Sequence, residues 1–286
     1  MSETKKIQII VDSTTDLAQQ YAGQVLTAPL IVSFGDTQYQ DGIDLTRNAF
    51  YEKLESEDIL PKTSQPSPAV FENLYRQVRE KGMDGIVITL SSALSGTYQS
   101  ACLAAQDYPE ISVVDSKNVA VGTGILAQYA IECANAGMPR QQLVEELERK
   151  KEDICLVAML DTLEYLMKGG RLSRTAAFAG GLLNIKPVIT IKDGAVVVLG
   201  KARGIKKANN LLVELIMQNG VEYSMPVLLG YSGTSDVLLQ NYIADSSSLW
   251  EGHLERLESS QICSVIGTHA GPGAVAVAFF KSNIDN

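Results

Sequence analysis

Three short runs rich in isoleucine and valine, KIQIIVD (6–12), GIVITL (85–90) and ISVVDS (111–116), constrain the fold more than any other feature. Each is too short for a buried helix and is apolar at consecutive positions, so it reads as a strand covered on both faces. KIQIIVD and GIVITL each lead through a Ser/Thr-rich junction into a helix-like segment. ISVVDS leads into VAVGTGILAQYAIECANAG, which ends at Gly137. Strands and helices in this alternation predict parallel βαβ units.

Helix starts are marked by STTD (13–16) with capping-box spacing, by Thr46 before RNAFYEKLES, and by Ser67 before Pro68. A charged amphipathic segment, PRQQLVEELERKKED, then precedes the apolar run ICLVAML. Beyond it the pattern changes. KPVITIKDGAVVVLGKA is two β-rich runs around Asp193-Gly194, a strong hairpin signal. GIKKANNLLVELIMQNG and TSDVLLQNYIAD read as helices, and AVAVAFF as a buried last strand. At 286 residues the chain exceeds the usual size of one domain. The expectation is therefore a two-domain α/β protein: residues 1–153 with a parallel sheet, and residues 154–286 an α+β domain with antiparallel strands.

Charge and composition exclude several functions. The formal net charge of −9 repels nucleic acid. That charge is uneven, because Lys168–Lys207 holds nine basic residues against Asp193 alone and carries +8, leaving −17 elsewhere. Such a segment can meet something anionic. No run approaches the roughly 20 apolar residues of a membrane span, and MSETKKIQIIVDS lacks the pattern of a signal peptide. Cys102, Cys133, Cys155 and Cys263 are far apart within apolar segments, which suits reduced thiols in the cytoplasm and no metal site. GTGILA, GPGAVA, GAVVVLGKA and GGRLSRT resemble nucleotide loops, but each has the wrong spacing or context, so no ATP or NAD cofactor is expected.

The junction LSSALSGTYQSA (90–101) crowds Ser91, Ser92, Ser95 and Thr97 around Gly96, where one capping residue would do. KTSQPSP (62–68) poses the same problem. Ser67 caps the next helix, which leaves Thr63 and Ser64 as unassigned donors. In an open α/β sheet ligands collect at the carboxyl ends of strands. Several hydroxyls there, with a helix N-terminus behind Gly96, make a seat for a carboxylate or phosphate. GTHAGPG surrounds His269 with residues that shape backbone for close approach. A serine hydrolase is the alternative, with Ser95, His269 and Asp12 or Asp115 as a triad, although ALSGT is not a G-x-S-x-G elbow.

VDSTTDL, TSQPSP, LSSALSGTYQSA, VDSKNVAVGTG, MKGGRLS and THAGPGAVAV occur in an order that resembles the DegV family, bacterial fatty-acid-binding proteins that serve as the FakB-type subunit of fatty acid kinase. The resemblance spans essentially the whole chain. It implies a DegV/EDD-like two-domain fold enclosing a long-chain fatty acid as ligand. Its carboxylate would be bound at Thr63 and Ser95, with Ser64 and Gly96 beside them and His269 near the head group. It also implies that Arg171, and more loosely Arg174 and Arg203, dock a separate ATP-dependent kinase. That partner would phosphorylate the carboxylate to an acyl phosphate for phospholipid synthesis, so the carrier is not itself an enzyme. The basic segment would meet the kinase or, transiently, an anionic membrane surface. The alternative remains a lipid esterase using Ser95.

Overall fold

The computed structural model describes residues 5–57, 59–172 and 184–282. Among these residues three sheets are built from β1 (Ile7–Asp12), β2 (Val25–Ala28), β3 (Ile31–Phe34), β4 (Thr37–Gln40), β5 (Lys62–Ser64), β6 (Asp84–Thr89), β7 (Ile111–Asp115), β8 (Ile154–Met159), β9 (Ile185–Lys192), β10 (Ala195–Arg203), β11 (Leu228–Tyr231), β12 (Glu258–Gln261) and β13 (Val275–Phe280). The helices are α1 (Arg47–Ser56), α2 (Pro68–Glu80), α3 (Thr97–Ala104), α4 (Ala120–Asn135), α5 (Arg140–Lys150), α6 (Glu164–Lys168), α7 (Ile205–Asn219), α8 (Val237–Asp245) and α9 (Ser264–Ala270).

The first sheet has the order β2-β1-β6-β7 and is parallel throughout, as the doubly apolar runs predict. Alternate residues serve opposite faces. Ile10 and Val87 pack with Phe71, Tyr75 and Ala101 of α2 and α3, whereas Ile9, Val11, Ile86 and Ile88 turn toward α4. The second sheet, β10-β9-β8-β13-β11-β12, is antiparallel except where β11 meets β12. Val157, Met159, Val275 and Val277 face α7 and α8, while Leu156, Ala158, Ala274 and Ala276 face inward.

Helix α4 lies between the parallel and the mixed sheet and is buried on nearly every side, consistent with its largely apolar sequence. The glycines of GTGILA serve this packing. A Cβ on Gly124 would stand 2.1 Å from the Asp16 carbonyl, and one on Gly122 would stand 2.0 Å from Asn118 Oδ1. One apolar core joins both halves of the chain through α4, in addition to a smaller core within each half. Among the described residues no sheet takes strands from both sides of Asp153, and we propose that residue as the topological divide.

Three local expectations need correction. STTD does not start an α-helix: Thr14 bonds Asp12 through both its amide and its hydroxyl, Asp16 is fully buried, and the segment continues into a 3₁₀ turn at Gln19–Gln24. Ser67 precedes α2 with Pro68 in its first turn, but the Ser67 hydroxyl makes no capping bond, unlike Thr46, which accepts the Ala49 N–H at 3.3 Å. A small antiparallel sheet, β4-β3-β5, stands in the first half beside the parallel one. Its signal was present in the alternation flanking Gly35-Asp36, a two-residue hairpin loop with Gly35 at φ +56°.

Candidate functional site

The inward face of the second sheet forms one wall of an apolar cavity of ≈ 380 Å³. Ala276, Ala158 and Ile189 lie across one rung of β13, β8 and β9 and all line it. The small alanines open the space and the branched residues wall it. Leu30, Leu90, Leu94 and Val119 close it from the first half, and Val265, Ile266 and Ala270 close it from α9. Apolar surface dominates, so a ligand here is held by its hydrocarbon.

Polar groups gather at one end. β5 pairs with β3, opposing Thr63 to Val32, and this places the Thr63 Oγ1 3.0 Å from His269 Nε2. Ser95 Oγ lies 2.9 Å from Thr97 Oγ1 and accepts the Thr97 N–H at 3.3 Å, at the start of α3. Gln65 crosses Gly96 to donate to Ser100 Oγ at 2.8 Å; a Cβ on Gly96 would stand 2.0 Å from Gln65 Oε1. Thr63, Ser64, Gln65, Ser95, Gly96 and His269 thus share one cavity end. Gln65 was not singled out by sequence reasoning, and its signal was the glycine opposite it.

The crowded hydroxyls of LSSALSG have separate duties. Ser91 is buried and donates to the Gly194 carbonyl at 2.7 Å, so the tip of the β9–β10 hairpin docks on the β6–α3 junction. Asp193 and Gly194, at φ +51° and +78°, make that tip. The Ser92 amide is taken by Asp115 at 3.2 Å, leaving Ser95 as the member that lines the cavity.

His269 is half-buried, and its Nδ1 faces Gly169 without a hydrogen-bond partner among the described residues. A Cβ on Gly169 would stand 2.2 Å from that nitrogen, so the glycine of KGGR is what admits the imidazole. Desolvation, followed by the nearby positive Arg171, lowers its pKa to about 4, and the ring is neutral at pH 7. Arg171 also lines the cavity; its guanidinium donates to the Leu94 carbonyl at 3.2 Å and to the Gly169 carbonyl at 2.7 Å. Arg203 ends β10, exposed and outside the cavity lining, and Arg174 lies outside the described residues.

The hydrolase triad is not assembled. His269 bonds Thr63 instead of Ser95, and its other nitrogen meets Gly169 instead of a carboxylate. Asp12 is engaged by Thr14 and the Leu90 N–H, and Asp115 by the Ser92 and Lys117 amides. Among the described residues no cluster of His, Cys, Asp and Glu could hold a metal ion, and no helix is long and apolar enough to cross a membrane.

A parallel sheet and a mixed sheet clasping one helix, with an apolar cavity capped by hydroxyls and a neutral imidazole, define an α/β protein with an interior cavity that is polar at one end. The model of the DegV family of uncharacterised proteins matches residues 6–282, and the chain belongs to that family. A DegV domain-containing protein of Deinococcus radiodurans is 36% identical over 278 residues, covering 95% of this chain and 97% of its own. A fatty-acid-binding DegV family protein of Thermus thermophilus superposes with a TM-score of 0.86 at 32% identity, over 97% of this chain and 100% of that one. DegV of Bacillus subtilis, a fatty acid binding protein, gives 0.82 at 30% identity, over 98% and 100% of the two chains.

Proposed function

We propose that the chain binds a long-chain fatty acid, with the tail in the apolar cavity and the carboxylate at Thr63, Ser95 and His269, flanked by Ser64 and Gly96. The observation that carries this reading is the union of an apolar cavity with one polar end. The fatty-acid-binding relatives of Thermus thermophilus and Bacillus subtilis support it. About fourteen methylenes at roughly 0.8 kcal/mol each contribute on the order of 11 kcal/mol before ordering costs, far more than a few hydroxyl bonds. The tail supplies affinity and the hydroxyls supply orientation.

The finer reading is a carrier in the cytoplasm that presents the carboxylate to a separate ATP-dependent fatty acid kinase. A carboxylate oxygen attacks the γ-phosphorus of ATP, ADP leaves, and an acyl phosphate forms. Hydroxyls and a neutral imidazole leave that oxygen less encumbered than a bidentate guanidinium clamp would. Arg203 and the basic run around it, exposed on β10 and α7, are the proposed docking or membrane-facing surface, with Arg171 at the cavity and Arg174 beside it in sequence.

Solvent extraction of purified protein followed by mass spectrometry tests the core of the proposal. One long-chain acyl carboxylate per chain is the expected result, and protein free of acyl chains that also fails to take up added fatty acid would refute it. A fluorophosphonate probe is expected to leave Ser95 unlabelled.

A further inference from the structure

The segment that enters α9 is held by a polar cluster which the lipid cavity does not use. Five consecutive residues are each bonded to a side chain from the first half of the chain. Arg47 donates to Ser260 Oγ at 3.2 Å and to the Gln261 carbonyl. Tyr51 donates to the Ile262 carbonyl at 3.0 Å. Asp16 accepts the Cys263 N–H at 3.1 Å, and Asp41 accepts the Ser264 N–H at 3.2 Å. Arg47 also pairs with Asp16 at 3.0 Å. One turn further along α9, Ile266, His269 and Ala270 line the cavity, so this clamp sets where the imidazole stands.

The charges of the clamp do not balance. Asp16 and Asp41 are buried with Arg47 as the cation they face, and the buried Asp12 adds a third carboxyl beside them; the other titratable neighbours, Tyr51 on α1 and Cys263 before α9, are neutral groups whose pKa values burial raises. A buried excess of carboxylates is costly and is relieved by binding a proton. Burial holds Asp12 up at about 6 and Asp16 at about 7, and raises Asp41 as well. Asp16 Oδ2 and Asp41 Oδ2 have no hydrogen-bond partner among the described residues. A second, more polar cavity of ≈ 500 Å³, lined by Thr15, Asp41, Arg47, Ser260, Gln261 and Cys263, gives water and protons a route to the cluster.

We infer that the Asp16–Arg47–Asp41 cluster is a proton-linked clamp that positions His269: it grips residues 260–264 while it holds a proton, and loosens α9, and with it the carboxylate seat, as that proton is lost. Asp16, Asp41 and Arg47 are positioning residues, since none of them lines the lipid cavity. The sign follows from linkage. A carboxyl with a higher pKa in the clamped state than in the hydrated, open state favours the clamp in acid, and that advantage fades as pH rises through about 7. The geometry of the clamp is independent of the ligand, whereas its consequence for lipid release rests on the fatty-acid reading above.

The ligand-free protein tests it by amide hydrogen exchange and histidine NMR between pH 5 and 8. Only His253 and His269 contribute ring signals, and His253→Gln assigns them. Protection at Cys263, Ser264 and Ile266, corrected for intrinsic rates, is expected to fall by about tenfold or more across this range. The His269 ring signals are expected to move over the same range, well above the ring's own proton binding near pH 4. Asp16→Asn, which stays neutral, removes most of both responses, and Asp41→Asn is the second variant should the first fail to fold. Equal pH responses in wild type and variant, or none in wild type, would overturn the clamp. A final arm measures retention of palmitate and hexadecanol at both pH values. Weaker palmitate retention at pH 8, restored by Asp16→Asn, supports the link to release. Failure to bind either lipid removes the carrier reading and leaves the exchange result standing.

Discussion

Replacing Ala276 with leucine tests the cavity where its walls are best defined. Ala276 lies opposite Ala158 in the β13–β8 register, both side chains line the cavity, and both are almost fully buried. The space of ≈ 380 Å³ beside them is what the methylene units of an acyl tail would fill. Leucine adds three carbons and displaces about three of those units from the ligand. At about 0.8 kcal/mol each the loss is about 2.4 kcal/mol, or about 60-fold in Kd, for an acid that fills the cavity. Shorter acids are expected to bind unchanged. The assay is calorimetry, or displacement of a fluorescent fatty acid, across C10 to C18. The ligand-free variant is expected to melt higher, because the new side chain fills an apolar void. A lower melting temperature, together with unchanged affinity at every chain length, would show that Ala276 faces packed protein and refute the reasoning.

Thr63→Ala and Ser95→Ala are expected to reduce kinase-dependent phosphorylation of bound lipid more than lipid retention, as read by acyl-phosphate formation against extracted lipid; equal losses count against the division between tail affinity and head-group orientation. His269 prefers the neutral ring in the folded state, so its contribution to stability is complete above pH 6.5 and declines as pH falls toward about 4. His269→Gln should remove that part of the slope of melting temperature against pH. Gly194→Ala places a Cβ 2.4 Å from Ser91 Oγ at a φ of +78° and is expected to cost about 1–3 kcal/mol in chemical denaturation, against about 1 kcal/mol for Ser91→Ala.

Much of the architecture is local and therefore legible in the chain. Doubly apolar runs at β1 and β6 read as buried strands, since either face in water would forfeit apolar burial, and the largely apolar α4 is the helix buried between layers. Asp193-Gly194 announces its hairpin because the turn needs two residues at positive φ. Hydroxyls not assigned to a local cap pointed to Thr63 and Ser64, and both line the cavity. Contacts between distant segments were not legible in the same way. STTD has the spacing of a helix cap, yet Asp16 binds Arg47 and Cys263 from elsewhere in the chain, because a buried carboxylate needs a cation and donors more than a turn needs a cap.

The glycines divide the two sources of information cleanly. Sequence shows only that Gly96, Gly169 and Gly194 carry no side chain, which is a local property. Only the packed structure decides that Gln65, His269 and Ser91 occupy the space so released. Those partners come from strands and helices whose relative positions are set by the sum of many weak apolar contacts, a quantity that no short stretch of residues contains.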